Sequence, residues 1–275
     1  MYKLLLLLIT VLGIVILFVR LMENRIVFFP TMYPSGLWNI SQLAQPPVDH
    51  FLLTSDKVKI HSWYFAGEPD KPTVLFFHGN AGNVSDRLLF FMLLREEFGV
   101  SVFAPEYRGY GKSHGSPTEK GVYRDAQTAY SYLVDSLHTD PEKIIIWGHS
   151  LGGAVAVHLS QNLKQGKLVC ESTFSSGDDM AKRMFAGLPV GILTSIKFNS
   201  VEKIKSVSLP KLFLHGDRDS IVPFDLGKKL YDAAPDPKAF ITLAEADHND
   251  AHIMGDGEYW QHVRTFLLES PVEKH

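Results

Sequence analysis

From residue 48 onward, the hydrophobic and polar positions alternate between short apolar runs and helix-length amphipathic segments. This alternation predicts a mainly parallel β-sheet covered by helices. Two runs, residues 73–77 and 143–147, are almost continuously apolar, which indicates central strands buried on both faces. The predicted strands lie near 48–54, 58–65, 73–77, 100–104, 143–147, 167–171, 211–215 and 239–243, and the predicted helices near 85–97, 120–137, 151–164, 225–233 and 257–269.

An uncharged apolar run at residues 4–19 lies near the amino terminus, between Lys3 and Arg20. At ~1.5 Å per residue it spans about 24 Å, short of a ~30 Å hydrocarbon core. Tyr2 at the interface and the long flanking basic side chains can cover the difference. We predict an uncleaved membrane anchor over residues 1–25. The rest of the chain could lie on either side of the membrane. The alternatives are a cleaved signal peptide, for which the following residues offer no small-residue cleavage site, and a buried core helix.

The composition is that of a globular protein, with 45% hydrophobic and 21% charged residues in a chain of 275. Lys and Arg number 27 against 30 Asp and Glu, so the net charge of −3 provides no positive field for a phosphate backbone. Nucleic acid is therefore not an expected partner. The single cysteine, Cys170, excludes an internal disulfide and a metal centre built from several cysteines.

One interval departs from the regular alternation of strands and helices. Between the strands that end near Glu171 and begin near Lys211, the chain is long and rich in large apolar residues. Connections longer than ~15 residues are uncommon unless they are functional, so we predict a lid-like insertion at about 173–207. Helices packed on the sheet edge are an equal alternative. The candidate substrate-binding residues of this interval are Met184, Phe185 and Leu188.

A G-x-S-x-G pattern places a candidate nucleophile at Ser150. The sequence GHSLG at residues 148–152 follows a buried strand and precedes a helix, which is the context of a nucleophile elbow. The same pattern occurs at residues 111–115, around Ser113, but no buried strand precedes it. We therefore assign Ser150 as the nucleophile and Ser113 to a loop.

A serine nucleophile needs a base and an acid that orients the base. His248 follows the last predicted strand, and His252 is its nearest rival. Asp219 follows the preceding predicted strand and is the candidate acid. Asp217 is expected to shape that turn by hydrogen bonds to the backbone. Glu171, at the end of another strand, is the alternative acid.

The negative oxygen of a tetrahedral intermediate needs two N–H donors. Leu151, at the start of the helix after Ser150, supplies one. The other is expected from the glycine-containing loop at residues 78–83, with the Asn80 N–H preferred and the Ala81 N–H second. A tight turn without this role is the alternative interpretation of the loop.

Together these motifs resemble the α/β-hydrolase superfamily. They are HGNAGN at residues 78–83, YRGYGKS at 107–113, GHSLGG at 148–153, HGDRDSIVP at 215–223 and the context of His248. The chain order Ser150, Asp219, His248 is also the order of that fold. The anchor, followed by NRIVFFP at residues 24–30, resembles the amino-terminally anchored branch with bacterial serine-aminopeptidase-like proteins and eukaryotic protein depalmitoylases.

The resemblance implies an α/β-hydrolase fold, with about eight mainly parallel strands, helices on both faces and a transmembrane helix before them. Residues 1–25 would be the anchor and residues 26–275 the hydrolase domain. It also implies a serine hydrolase without a metal or organic cofactor, acting on an ester, thioester or amide. Our leading hypothesis is a membrane-anchored carboxylic ester or thioester hydrolase with a lipid-like or small acyl substrate. An aminopeptidase-like serine peptidase and a non-catalytic binding protein are the alternatives.

Overall fold

The structure is a computed structural model that describes residues 2–185 and 193–269. Each predicted strand is present, within one or two residues of its predicted limits. The strands are β1 (Phe29–Pro30), β2 (Val48–Leu53), β3 (Lys59–Phe65), β4 (Thr73–Phe77), β5 (Ala81–Gly82), β6 (Ser101–Pro105), β7 (Ile144–His149), β8 (Lys167–Glu171), β9 (Lys211–Gly216) and β10 (Lys238–Leu243).

Eight of these strands form one sheet in the order β10-β9-β8-β7-β4-β6-β3-β2. The six strands from β10 to β6 are parallel, whereas β3 is antiparallel to both of its neighbours. The predicted mainly parallel sheet is thus confirmed. Because the carboxyl ends of parallel strands lie at one edge, the loops after β4, β7, β9 and β10 meet there.

One helix precedes these strands, and the others lie between the strands and after them. They are α1 (Tyr2–Val27), α2 (Leu88–Phe98), α3 (Glu119–Asp135), α4 (Leu151–Ser160), α5 (Gly177–Met184), α6 (Ser200–Lys203), α7 (Phe224–Ala233), α8 (Ala251–Met254) and α9 (Asp256–Leu268). Helix α4 ends at Ser160, four residues before its predicted end. A 3₁₀ turn, Val84–Arg87, precedes α2, so the predicted helix at 85–97 begins as a tighter turn.

Both faces of the sheet carry a hydrophobic core. In β4, Leu75 and Phe77 pack into the core that contains residues of α3, α4 and α7. Val74 and Phe76 pack into the opposite core, with residues of α2 and α9. This alternation follows from the two-residue period of a strand, and it explains why the central strands are continuously apolar. The predicted helices on both faces are confirmed.

Helix α1 is long and apolar enough to cross a bilayer, and its apolar part is exposed. The exposure contradicts the core-helix alternative, while an anchor and a signal sequence both fit such a helix. The chain after α1 packs on the domain, because β1 pairs in parallel with β5, with Phe29 opposite Ala81. Phe28 is 2% exposed and lies in the core.

The interval at 173–207 is partly helical. It contains α5 and α6, and its buried residues include Ile196 and Phe198, which belong to the core beside α3 and α4. Leu188 lies outside the described residues. The described part therefore packs on the domain through its second half, while Met184 and Phe185, at the end of α5, are exposed.

Candidate active site

Ser150 lies at a sharp turn between β7 and α4. Its backbone has φ 55° and ψ −119°, a left-handed conformation that is strained for a residue with a side chain. The Ser150 N–H donates to the carbonyl oxygen of Glu171 at 2.9 Å, which ties the turn to the end of β8. The serine is 8% exposed. The strain is of the kind that holds a reactive side chain at the edge of a sheet.

The glycines around Ser150 allow three close approaches of the backbone. A Cβ atom on Gly148 would lie 2.2 Å from the Gly152 oxygen, and one on Gly152 would lie 2.0 Å from the Phe77 oxygen. A Cβ on Gly153 would lie 1.8 Å from Thr173 Oγ1. Any side chain at these positions would push α4 away from the sheet and move Ser150.

His248 and Asp219 form a hydrogen-bonded couple on neighbouring loops. The His248 Nδ1 atom lies 2.9 Å from Asp219 Oδ2 and 3.1 Å from Asp219 Oδ1. With Nδ1–H donating to the carboxylate, Nε2 is the unprotonated nitrogen and can accept a proton. Among the described residues, Ser150 Oγ makes no hydrogen bond to His248. Such bonds are often long before substrate binds.

Asp219 is held as a carboxylate by several donors. The N–H groups of Ile221 and Val222 donate to Oδ1 at 3.0 and 2.7 Å, and His215 Nε2 lies 3.4 Å from Oδ2. Burial alone would raise the pKa of Asp219. The hydrogen bonds from His215, His248 and Val222 outweigh this effect, so the pKa of Asp219 is well below its usual range. The negative charge orients His248 and would stabilise its protonated ring.

The alternative candidates occupy other places. Glu171 accepts hydrogen bonds from Trp147 Nε1 at 2.8 Å and the Tyr259 hydroxyl at 3.2 Å, and burial raises its pKa. His252 packs against Phe90, and the centroids of the two rings are 5.3 Å apart. In the described ranges, His248 is hydrogen-bonded to Asp219, whereas Glu171 bonds to Trp147 and Tyr259.

Asp217 and Ser113 are held in loops by their own side chains. Asp217 Oδ1 accepts from the Glu245 N–H at 2.8 Å, so it braces the loop after β10. The Ser113 hydroxyl accepts from the His61 N–H at 2.8 Å and donates to the Glu106 oxygen at 3.3 Å. Ser113 is thus a buried loop residue, as its sequence context predicts.

Two further residues hold the backbone of His248, and the sequence analysis did not single them out. His149 Nε2 lies 3.0 Å from the His248 carbonyl oxygen, and burial keeps the pKa of His149 well below its usual value. The neutral ring donates to this oxygen. Asp247 Oδ1 accepts from the N–H groups of His248 and Ser220, both at 2.7 Å, which joins the two loops. His149 directly precedes Ser150, and this position is the sequence feature that could have indicated a place in the site.

The two predicted oxyanion donors come from different loops, because Asn80 follows β4 and Leu151 follows Ser150 at the start of α4. Leu151 is the first residue of α4, so its N–H has no intrahelical acceptor. Asn80 Nδ2 donates to the Val27 oxygen at 2.5 Å, and Asn80 Oδ1 accepts from the Phe29 N–H at 3.3 Å. The Tyr110 hydroxyl donates to the Asn80 carbonyl oxygen at 2.8 Å. The side chain of Asn80 therefore fastens this loop to the segment after α1.

The predicted substrate-binding residues are exposed. Met184 is 71% and Phe185 48% exposed, and in the described ranges neither is joined to Ser150 or His248 by a hydrogen bond or ring contact. Leu188 is outside these ranges. The described ranges also contain no group of three or more His, Cys, Asp or Glu side chains that could hold a metal ion.

Comparisons with known proteins agree with this architecture. A family model described as the alpha/beta hydrolase fold matches residues 72–190. WAV2 of Arabidopsis thaliana, an alpha/beta hydrolase domain-containing protein, is 32% identical over 95% of this chain and 94% of its own length. The membrane protein YNL320W of Saccharomyces cerevisiae is 37% identical over 79% of this chain and 78% of its own. The esterase Pf2001 of Pyrococcus furiosus has a TM-score of 0.70 and 25% identity, covering 87% of this chain and 98% of its own.

Proposed function

This chain belongs to the alpha/beta-hydrolase family, and we propose that it is a membrane-anchored serine hydrolase that cleaves carboxylic esters or thioesters. The observation that carries the proposal is the Asp219–His248 couple, on the loops that meet the turn of Ser150. A buried carboxylate that orients a histidine beside a strained serine is the arrangement of a catalytic triad.

The reaction proceeds in two halves. His248 Nε2 takes the proton from Ser150 Oγ while the oxygen attacks the substrate carbonyl, and the N–H groups of Leu151 and Asn80 stabilise the resulting oxyanion. The tetrahedral intermediate collapses as His248 returns the proton to the leaving alcohol or thiol, which leaves an acyl group on Ser150. Water, deprotonated by His248, then attacks the acyl-enzyme. A carboxylic acid is released and the serine is restored.

An ester substrate is favoured by the comparison with Pf2001, which is itself an esterase. A thioester presents the same carbonyl to Ser150 and is included for that reason. We propose residues 1–25 as the anchor, because α1 is apolar and exposed and the related YNL320W is a membrane protein. Residues 26–275 would then form the hydrolase domain, with 173–207 as a lid that brings Met184, Phe185 and Leu188 over an acyl chain.

A series of p-nitrophenyl esters of increasing acyl length tests this function. We expect turnover by the detergent-solubilised wild type and none above background for Ser150→Ala. Ser113→Ala is the matched control, because Ser113 stands in the same sequence pattern without the elbow. Aminoacyl p-nitroanilides, assayed in parallel, test the peptidase alternative. Ester turnover that persists in Ser150→Ala, or turnover of the anilides alone, would contradict the proposal.

A further inference from the structure

A cavity of about 170 Å³ lies beside His248. It is bounded by residues of the 3₁₀ turn and α2 on one side and by the loop after β10 on another. Its apolar wall consists of Phe76, Leu89 and Phe90, and its polar wall includes Asp86, Arg87, Glu171 and His248. An apolar cavity of ~150 Å³ can hold benzene, so this one has room for a phenyl-sized group.

The guanidinium group of Arg87 has no partner in this wall. In the part of the chain that the structure describes, Arg87 makes no hydrogen bond or ion pair, and its Nε atom is buried. Burial lowers the pKa of Arg87 from its usual value. Buried polar groups are normally hydrogen-bonded, and the Nε–H group of Arg87 is not. Asp86 and Glu171 attract the charge of Arg87 without bonding to it, so the N–H donors of Arg87 can bind an anion in the cavity.

The carboxylates nearest to Arg87 are committed elsewhere. Asp86 Oδ2 accepts from the Asn83 N–H at 2.9 Å and caps the 3₁₀ turn. Glu171 accepts from Trp147 and Tyr259, one donor on each of its oxygens. Neither carboxylate lies within 4 Å of the Arg87 guanidinium, since no ion pair of Arg87 occurs among the described residues. The N–H donors of Arg87 are thus available to a ligand that approaches them more closely than Asp86 and Glu171 do.

We propose that this cavity is a subsite for the leaving group of the substrate, in which Arg87 binds a carboxylate carried by that group. The inference rests on the proposed function, because it assigns the cavity to the same site. His248 protonates the leaving atom, and it lines the cavity. The planar guanidinium binds a carboxylate through two parallel hydrogen bonds. The substrate class is therefore an ester or thioester of an alcohol or thiol that bears a carboxylate close to the scissile bond.

Two acetyl esters that differ only in the charge of the leaving group test the subsite. They are 4-acetoxybenzoate and 4-acetoxybenzamide, which share the acetyl ester and the phenol ring, and neither contains a second ester bond. The measured quantity is the ratio of kcat/KM for the charged ester to kcat/KM for the neutral ester. Intrinsic differences in reactivity cancel when this ratio is compared between variants.

We expect this ratio to fall roughly 10- to 100-fold in Arg87→Met, the range expected for loss of a charge-assisted hydrogen bond. Arg87→Lys should retain part of the preference because it keeps the charge. Arg264→Gln is the matched control: Arg264 is exposed on α9, pairs with Glu97 and should leave the ratio unchanged. Turnover of the neutral ester by Arg87→Met shows that the variant is folded and active.

Benzoate provides a second readout. It should inhibit hydrolysis of the neutral ester competitively in the wild type and at least tenfold more weakly in Arg87→Met, whereas benzamide should not distinguish the two. An unchanged ratio with active enzyme overturns the subsite and leaves the proposed function standing. Absence of inhibition by benzoate in the wild type also overturns it, even if Arg87→Met fails to fold. If the wild type hydrolyses neither ester, and a fluorophosphonate probe for activated serines does not label Ser150, both proposals are overturned.

Discussion

Glu23 near the end of α1 and Ser195 in the interval before α6 are hydrogen-bonded, although 172 residues separate them in the chain. The Glu23 carboxylate accepts from the N–H of Ser195 at 2.6 Å, from the Ser195 hydroxyl and from the Thr194 hydroxyl at 2.7 Å. Further along both segments, the rings of Phe28 and Phe198 pack edge to face, with their centroids 6.0 Å apart. The base of the apolar helix thus holds the second half of the proposed lid.

Replacing Glu23 should loosen that segment selectively. In Glu23→Ala, three donors lose their acceptor, and we expect the Ser195 amide to exchange its hydrogen at least tenfold faster, as loss of a bond to a charged group implies. Glu202→Ala is the matched control, since Glu202 lies on α6 and forms an exposed ion pair with Lys205. Equal exchange in wild type and Glu23→Ala would contradict the proposed attachment.

The charge of Asp219 should matter more than its shape. Asp219→Asn keeps the volume but removes the carboxylate that orients Nδ1–H of His248, and we expect kcat to fall roughly 10³- to 10⁴-fold, as in other serine triads. Asp217→Asn, on the same loop, should change kcat by less than about threefold, because the Asp217 side chain bonds only the Glu245 N–H among the described residues. Initial rates with one p-nitrophenyl ester measure both. Similar losses in the two variants would argue against a specific role for Asp219.

Lys211 should make the stability of the protein rise with pH. It is 1% exposed, and burial lowers its pKa to about 8 from 10.5, although it donates to the carbonyl oxygens of Val207 and Leu209. Between these two values the unfolded chain binds a proton that the folded protein does not. The free energy of unfolding therefore increases with pH in that window, by about 1.4 kcal/mol per unit.

The variant Lys211→Met isolates this effect. The difference in unfolding free energy, wild type minus Lys211→Met, should rise by roughly 2 kcal/mol between pH 7 and pH 10 in chemical denaturation. The comparison removes the pH dependence that both proteins share. A constant difference over this range would show that Lys211 keeps its proton in the folded state.

The sheet was predictable from local patterns, whereas the details of the site were not. Strands such as β4 and β7 are buried on both faces, so their apolar runs are evident in the sequence. Ser150, Asp219 and His248 follow such strands, and strand ends of a parallel sheet share an edge. Helix α4 was predicted too long because the apolar Leu163 continues the helical pattern beyond Ser160, where a turn begins.

Contacts between residues far apart in the sequence could not be predicted from the local pattern of residues. The β1–β5 pair is two residues long on each side, and its formation depends on packing of the segment after α1. Asn80 was chosen for its N–H, yet its side chain binds Val27 and Phe29. Arg87 is one of many arginines in the sequence. That it makes no hydrogen bond or ion pair within the described ranges is a property of the folded surroundings alone.

The most direct test of the central claim is labelling with a fluorophosphonate probe, which reacts with activated serines without requiring the natural substrate. Detergent-solubilised wild type and Ser113→Ala should both be labelled, whereas Ser150→Ala should not. Labelling that persists in Ser150→Ala, or a folded wild type that is not labelled, would contradict a serine hydrolase that acts through Ser150.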